Sequence, residues 1–442
     1  MANDLGGGVG ITLVSHACVV VDTSAGRLMT DPWLRSRAFN DSWDLLTPPA
    51  IDDESLREVD WIWISHEHPD HFNVPTLRAL PDDVKQRVVI LYQENNSDKM
   101  IEALHAFGFP NCRRLPHGEV VDLAPAVRVG CYQVGQMDSV LHLAVEGGPS
   151  LLNVNDAEIN ANDCANLVER FGRPDVVLNQ FSIAGYDGMP DPDAVLPARR
   201  RQILQNMVDN HRDLGASVTV PIASFVYFCA PDNAYINAHM NSPADVAELF
   251  AEERLDLKVL APGDRWVIGD SIDNEMPLAE WSAIYDRVDD LPLIDPPKVV
   301  EADLRLAFGT CCDRLHDHHP SLLLRTVSPL VIDVPDIGKL IRLSFVDRSF
   351  AETDDDPDVT INSQPLQFLL GNPFGLQTLG VSARYRLAGP SPRWKRLRIL
   401  MALENAEIYL RPKHLANRRT LSYLATRAKG GANQLAYQVR RM

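Results

Sequence analysis

The segment His66-Glu67-His68-Pro69-Asp70-His71 places four metal-ligand side chains within six residues, directly after the apolar run Val59-Asp60-Trp61-Ile62-Trp63-Ile64. Side chains two apart at a strand end project to the same side, so the imidazoles of His66 and His68 can close on one ion. Asp70 cannot reach that ion without strain. With His71 it fits a second, adjacent site. Imidazole and carboxylate donors suit zinc, iron or manganese and leave open positions for water, oxygen or substrate. The pattern predicts a dinuclear metal centre whose remaining donors come from later strand ends.

The elements that must position these donors can be read along the chain. Ile11 to Val21 is rich in β-branched residues, Thr23-Ser24-Ala25-Gly26 turns, and Arg27 to Thr30 returns as a strand. Further strand-like runs are Arg87 to Tyr92, Val127 to Val134, Val140 to Val145, Leu151 to Val154, Asp175 to Leu178 and Ser217 to Pro221. Helical patterns lie between them at Val74 to Leu80, Ser97 to Phe107, Asn160 to Phe171 and Pro197 to Leu214. Such an order fits two packed sheets with helices outside. The prolines and acids from Asp289 to Pro297 stop both helix and central strand. The expected division is therefore a metal-binding catalytic domain over 1–285 and a smaller α+β accessory domain over 298–442, with strand-like runs at Leu340 to Val346 and Leu379 to Tyr385.

The 442 residues are 45% hydrophobic and 23% charged, which fits an ordinary globular chain of two domains. The first ten residues lack a basic region and an apolar stretch, no run approaches the ~20 apolar residues that span a bilayer, and the seven cysteines include adjacent Cys311 and Cys312. Reduced thiols and a cytoplasmic location are expected, with no membrane partner. The net charge of -18 argues against nucleic acid. Arg393 to Arg441 carries 12 Arg and Lys against Glu404 and Glu407, a net of +10, so the remainder holds -28. That basic tail is interleaved with Leu, Tyr and Trp, and is expected to form an amphipathic helical segment against the acidic body or the twin subunit of a homodimer. Three other segments are expected to be bland: His316-Asp317-His318-His319 as a solvated helix end, Thr353 to Pro357 as a solvated loop, and Gly6 to Gly10 as a flexible start.

The motif segments resemble the metallo-β-lactamase superfamily and, within it, the metallo-β-lactamase-like part of the cytidine monophosphate N-acetylneuraminate hydroxylase family. The likeness runs through His16-Ala17-Cys18, Asp31-Pro32-Trp33-Leu34, Ile62 to His71, Pro75-Thr76-Leu77, Met137-Asp138, Leu152 to Asp156, Gly185 to Pro190 and Tyr235-Ile236, roughly residues 11 to 270. A fainter echo lies near Phe374 to Leu387. The resemblance implies an α+β protein with a metallo-β-lactamase αββα sandwich and a smaller C-terminal α+β domain. It implies Asp156 as the carboxylate bridging both ions. Asp138 stands where the superfamily has a third histidine, a replacement that favours iron or manganese over zinc. The last histidine of the superfamily pattern is replaced by Ala230, with His239 nearby as a candidate. His16 and Asp31 are expected behind the ligands, orienting their rings by hydrogen bonds. That family also carries a Rieske iron-sulfur domain, whose paired C-x-H and C-x-x-H ligands do not occur in these residues.

Two mechanisms follow. In one, Fe(II) at His66, His68 and Asp138, with a second iron at Asp70, His71 and Asp156, uses O2 and electrons from a separate reductase to hydroxylate or N-oxygenate a small polar metabolite. In the alternative, two zinc or manganese ions supply hydroxide to an ester, lactone or phosphoester, with Asp156 or Asp70 holding or deprotonating the nucleophile.

Overall fold

The computed structural model describes residues 8–94, 97–135, 137–414, 417 and 420–421. Two sheets face each other. The first orders its strands as Arg265–Val267, Gly10–Leu13, Val19–Thr23, Gly26–Thr30, Trp61–Ile64, Val89–Gln93 and Cys112–Leu115. The second runs Val218–Ile222, Val176–Gln180, Ser150–Asn155, Asp138–Val145, Val127–Val134 and Val120–Ala124.

The side-chain period of two builds the layers. In Trp61–Ile64, Trp63 joins the core between the sheets, with Val21, Leu28, Leu91, Leu141, Leu151 and Leu178. Ile62 and Ile64 point the other way, onto Leu77, Val84 and Leu104 of the covering helices. On the far side of the second sheet, Leu152, Val154 and Val177 meet Cys164 and Leu167 of helix Ala161–Phe171. Asn160 and Asp163 form a capping box that starts this helix. The result is the αββα sandwich of the metallo-β-lactamase fold.

Residues 291–300 run without helix or strand. Beyond them a separate core gathers Leu304, Phe308, Leu315, Ile332, Ile341, Leu366 and Trp394, under a sheet ordered Ser349–Glu352, Lys339–Ser344, Leu330–Val334, Val359–Thr360 and Arg386–Leu387. The run Leu379 to Tyr385, expected as a strand, is instead mostly the helix Gly375–Ser382. Leu376 and Leu379 share one face of it and enter the second core, so an i, i+3 pattern outweighs the single β-branched Val381. The solvated helix end expected at His316 to His319 is likewise corrected. His319 is 1% exposed, and Arg314 and His318 converge on Glu404, itself 2% exposed, at 3.1 and 3.0 Å. Helix Pro392–Asn405 from the basic tail packs there through Trp394, Leu397 and Met401. Residues 415–416, 418–419 and 422–442 of the tail lie outside the described residues.

The two parts dock tightly. Asn233 Nδ2 donates to Ser382 O at 2.8 Å, and the buried Arg384 donates to Asp232 at 2.7 Å and Gln364 at 2.6 Å. A Cβ on Gly185, whose φ is +102°, would lie 2.9 Å from Gly380 O, so only glycine permits this approach.

Two core histidines set an acid limit on stability. His142, 4% exposed, stacks on Phe171 at 4.9 Å, and burial, aided by Arg128, pushes its pKa down to about 4. Burial likewise brings His319 to about 4. Both values lie below the unfolded ~6.5, so the unfolded chain binds more protons between the two. Stability present above pH ~6.5 is then lost as pH falls toward 4, by at most about 1.4 kcal/mol per pH unit per histidine. Urea midpoints measured from pH 7 to 4.5 should show this slope, and His142→Phe should flatten it. An unchanged slope in that variant would remove His142 from the explanation.

Candidate metal centre

The strand Trp61–Ile64 lies parallel between Gly26–Thr30 and Val89–Gln93 and delivers the donor loop at its carboxyl end. The loop is held by its own backbone: His71 N and Phe72 N both donate to His68 O, at 3.0 and 2.7 Å. Asn73 Oδ1 accepts from Thr76 N at 3.0 Å, starting helix Val74–Ala79, while its Nδ2 donates to Pro69 O. Ser139 Oγ donates to Ser65 O at 2.6 Å, tying the loop to the second sheet.

Six side chains form two donor groups, His16 with Asp70 and His71, and His66 with His68 and Asp156, the donor atoms of each group within 4.8 Å of one another. Asp70 Oδ2 is 3.3 Å from His16 Nε2 and 3.2 Å from His71 Nε2. His66 Nε2 is 2.6 Å from His68 Nδ1. Asp156 Oδ2 lies between the groups, 3.7 Å from His66 Nε2 and 3.6 Å from His71 Nε2. Buried polar atoms ordinarily find hydrogen-bond partners. Here His16 Nδ1, Asp70 Oδ1, His71 Nε2 and Asp156 Oδ1 are buried without one. Orphaned donors of these types, converging from three loops, fit two metal ions.

The local electrostatics suit the same purpose. Burial lowers the pKa of His16 and, with the charge of His66, brings His68 down to about 3, so both rings are neutral and ready to coordinate. Burial alone would raise the Asp70 and Asp156 carboxyls. For Asp70, His71 and His16 outweigh it, and for Asp156, His66 and His71 do, so both are lowered. Burial opposes a charge on His71, but Asp70, Asp156 and Asp31 win and hold its pKa well above the usual range. An ion binding there displaces a proton from His71.

Asp31 stands behind the loop, fully buried. Its carboxylate accepts from Ser65 N at 2.8 Å, meets His71 Nδ1 at 3.1 Å and accepts from Asn155 Nδ2. Asp31 and Asn155 close their strands with φ of +38° and +59°. Left-handed backbone is tolerated best by Asp, Asn and Gly, and here it turns two polar side chains inward. Trp33, Trp43 and Phe39 wall the site, with Trp33 and Trp43 edge-on to His16 and Phe39 edge-on to His68.

The other expected donors are placed differently. Asp138 opens the strand Asp138–Val145, half-buried, and belongs to neither group. His239 Nε2 faces Asp193 at 2.9 Å, away from both groups. Ala230 is fully buried and brings no donor, and the Asp70 and His71 group is filled by His16. His16 sits in the tight turn between Gly10–Leu13 and Val19–Thr23, where Val14 N and Ser15 N both bond Cys18 O. Sequence reasoning missed Ser65, Asn155 and Gln377, whose Nε2 lies 2.8 Å from His68 Nε2. The signal for Gln377 was the faint family echo at Phe374 to Leu387.

A small cavity of about 70 Å³ opens beside Asp156, lined by Asn179, Gln180, Arg199, Asn206 and Asn210 among others. A larger open hollow at Lys258, Asp264 and Arg265 holds none of the donors. All seven cysteines are free thiols, and among the described residues no helix is long and apolar enough to cross a membrane.

Residues 10–148 match the family model of the beta-lactamase superfamily domain, a stretch that includes His16 and the His66 to His71 loop and ends before Asp156. A cytidine monophosphate-N-acetylneuraminic acid hydroxylase of Danio rerio is 26% identical over 316 residues, spanning 67% of this chain and 50% of that protein. A Mycobacterium tuberculosis chain named as a Rieske 2Fe-2S iron-sulfur protein is 28% identical over 256 residues, 53% of this chain and 48% of its own. The chain thus spans about half the length of the curated relatives it matches. Among solved structures, isothiocyanate hydrolase from Delia radicum gut bacteria aligns over 58% of this chain and 98% of its own, with a TM-score of 0.44 and 16% identity.

Proposed function

We propose that this chain, whose residues 10–148 match the family model of the beta-lactamase superfamily domain, is a non-haem diiron oxygenase that hydroxylates or N-oxygenates a small polar metabolite with O2. The observation that carries the reading is the composition of the two donor groups. Each is two histidines and one carboxylate, the donor set that leaves open positions on Fe(II) in non-haem oxygenases. The hydroxylase named among the relatives supports it.

Iron, when bound there, would supply the activation of dioxygen. The protein's own residues do the rest. His16, Asp70 and His71 would hold one ion and His66 and His68 the other, with the Asp156 carboxylate placed between the two donor groups. Asp138, at a strand end tied to Ser65 through Ser139, is proposed as the remaining donor at His66 and His68. Asp70 and Asp156, ionised beside histidines, are the groups able to accept a proton as substrate reacts. The Trp33, Trp43 and Phe39 wall limits water, and Asn179, Gln180 and Arg199 beside Asp156 offer polar contacts at the edge of the centre. Electrons would come from an electron-transfer partner, a reading that the relative named as a Rieske 2Fe-2S iron-sulfur protein supports.

The position of Asp156 also suits a water held between two zinc or manganese ions, which makes the hydrolase of an ester, lactone or phosphoester the second reading. Elemental analysis of protein purified without added metal or chelator separates the two. About two irons per chain are expected. Zinc at full occupancy would overturn the oxygenase and leave the hydrolase.

A further inference from the structure

We infer that Gln377 is a positioning residue for His68, so that the C-terminal part of the chain helps build the metal centre. The inference rests on His68 being a ligand and extends it across 309 positions of sequence. Gln377 lies half-buried in helix Gly375–Ser382, its Nε2 2.8 Å from His68 Nε2 and 3.3 Å from Met137 Sδ. Behind it, Asn405 Nδ2 donates to Gln377 Oε1 at 2.9 Å from the end of helix Pro392–Asn405. The other nitrogen of His68, Nδ1, points into the donor group at His66. Among the described residues, Gln377 is the hydrogen-bonding partner of His68 Nε2.

The tautomer follows from this arrangement. A neutral imidazole that gives Nδ1 to an ion carries its proton on Nε2, and that N–H needs an acceptor. A primary amide offers either end, so with an ion on Nδ1, Gln377 would turn from the Nε2 contact seen here to meet the ring with Oε1. The freed amide nitrogen then donates to Oδ1 of Asn405, which turns with it. The pair fixes both the protonated nitrogen and the plane of the His68 ring. Loss of such a partner typically weakens a metal site 10–100-fold.

The test is a cobalt(II) titration of metal-stripped full-length protein, followed by visible absorption. Gln377→Leu should weaken one of two binding steps about 10–100-fold and leave the other unchanged. Gln377→Glu, whose carboxylate accepts from the same N–H, should keep both steps close to wild type. In a His68→Ala background, Gln377→Leu should add nothing. The melting temperature of each metal-free variant reports whether the fold is intact, a role separate from ring positioning. Wild-type affinity in Gln377→Leu overturns the inference while leaving the metal centre standing. Equal loss in the Leu and Glu variants overturns it in favour of simple packing. Absence of cobalt binding by the wild type overturns both the inference and the proposed centre.

Discussion

Replacing Asp156 with alanine is expected to strip both ions from the protein, while replacing His16 with alanine removes only one. Asp156 Oδ2 lies within 3.7 Å of ring nitrogens from both groups, so in the proposed centre it is the carboxylate that the two ions would share. Its loss takes a donor from the His66 and His68 group and removes the negative charge that would lie between the two cations. A fall in affinity on the order of 10²- to 10³-fold at each site, about 3–4 kcal/mol, is the expected result. His16 touches only the Asp70 and His71 group, so His16→Ala should retain about one ion per chain. Metal content of the two variants, purified side by side and reconstituted from the metal-free state, checks this. Two retained ions in His16→Ala would return His16 to a supporting role behind the ligands, and full occupancy in Asp156→Ala would dissolve the shared-carboxylate arrangement.

The largest stability effect is expected at Asp31. This carboxylate is fully buried and accepts hydrogen bonds from the Ser65 amide and the Asn155 side chain while facing His71. Asp31→Ala leaves those donors buried without an acceptor, removes a counter-charge from His71, and puts alanine at a φ of +38°. Breaking a buried charge network of this kind costs about 3–5 kcal/mol, and the strained backbone adds to it. Asp31→Asn keeps the shape and one acceptor, so it should cost less. Urea unfolding of the metal-free proteins measures both. A loss under about 1 kcal/mol in Asp31→Ala would show that the loop organises itself without this anchor.

Much of this was legible in the sequence, for identifiable reasons. The strand around Trp61 announces itself because it is apolar on both faces, and the strand around Leu151 because Leu151 enters one core while Leu152 and Val154 enter another. The donor loop is legible because four ligands crowd into six residues. His16 was visible as a residue near the centre, but its place inside a donor group depends on a tight turn that folds it onto Asp70. Local patterns carry no record of that contact. Gln377 is less visible still, since it reaches His68 only through the docking of a second core. The run Leu379 to Tyr385 reads as a strand because Val381 and Tyr385 have β propensity, but packing against the second core keeps its first residues in the helix Gly375–Ser382. At His316 to His319, polarity suggested water, and only the arrival of Glu404 from a distant helix explains the burial.

Five of the six donors leave from the carboxyl end of the first sheet or its opening turn, and Asp156 leaves from the end of Ser150–Asn155 in the second. An ion held by His66 and Asp156 would therefore act as a staple between the two halves of the sandwich, joining points 90 positions apart in the chain. By the chain-entropy argument used for disulfides, closing a loop of that length removes about 4–5 kcal/mol of freedom from the unfolded chain. Loaded protein would then resist heat and proteases as one block, while depleted protein could open like a book along the seam between its sheets. Metal supply would set the lifetime of the polypeptide as well as its chemistry.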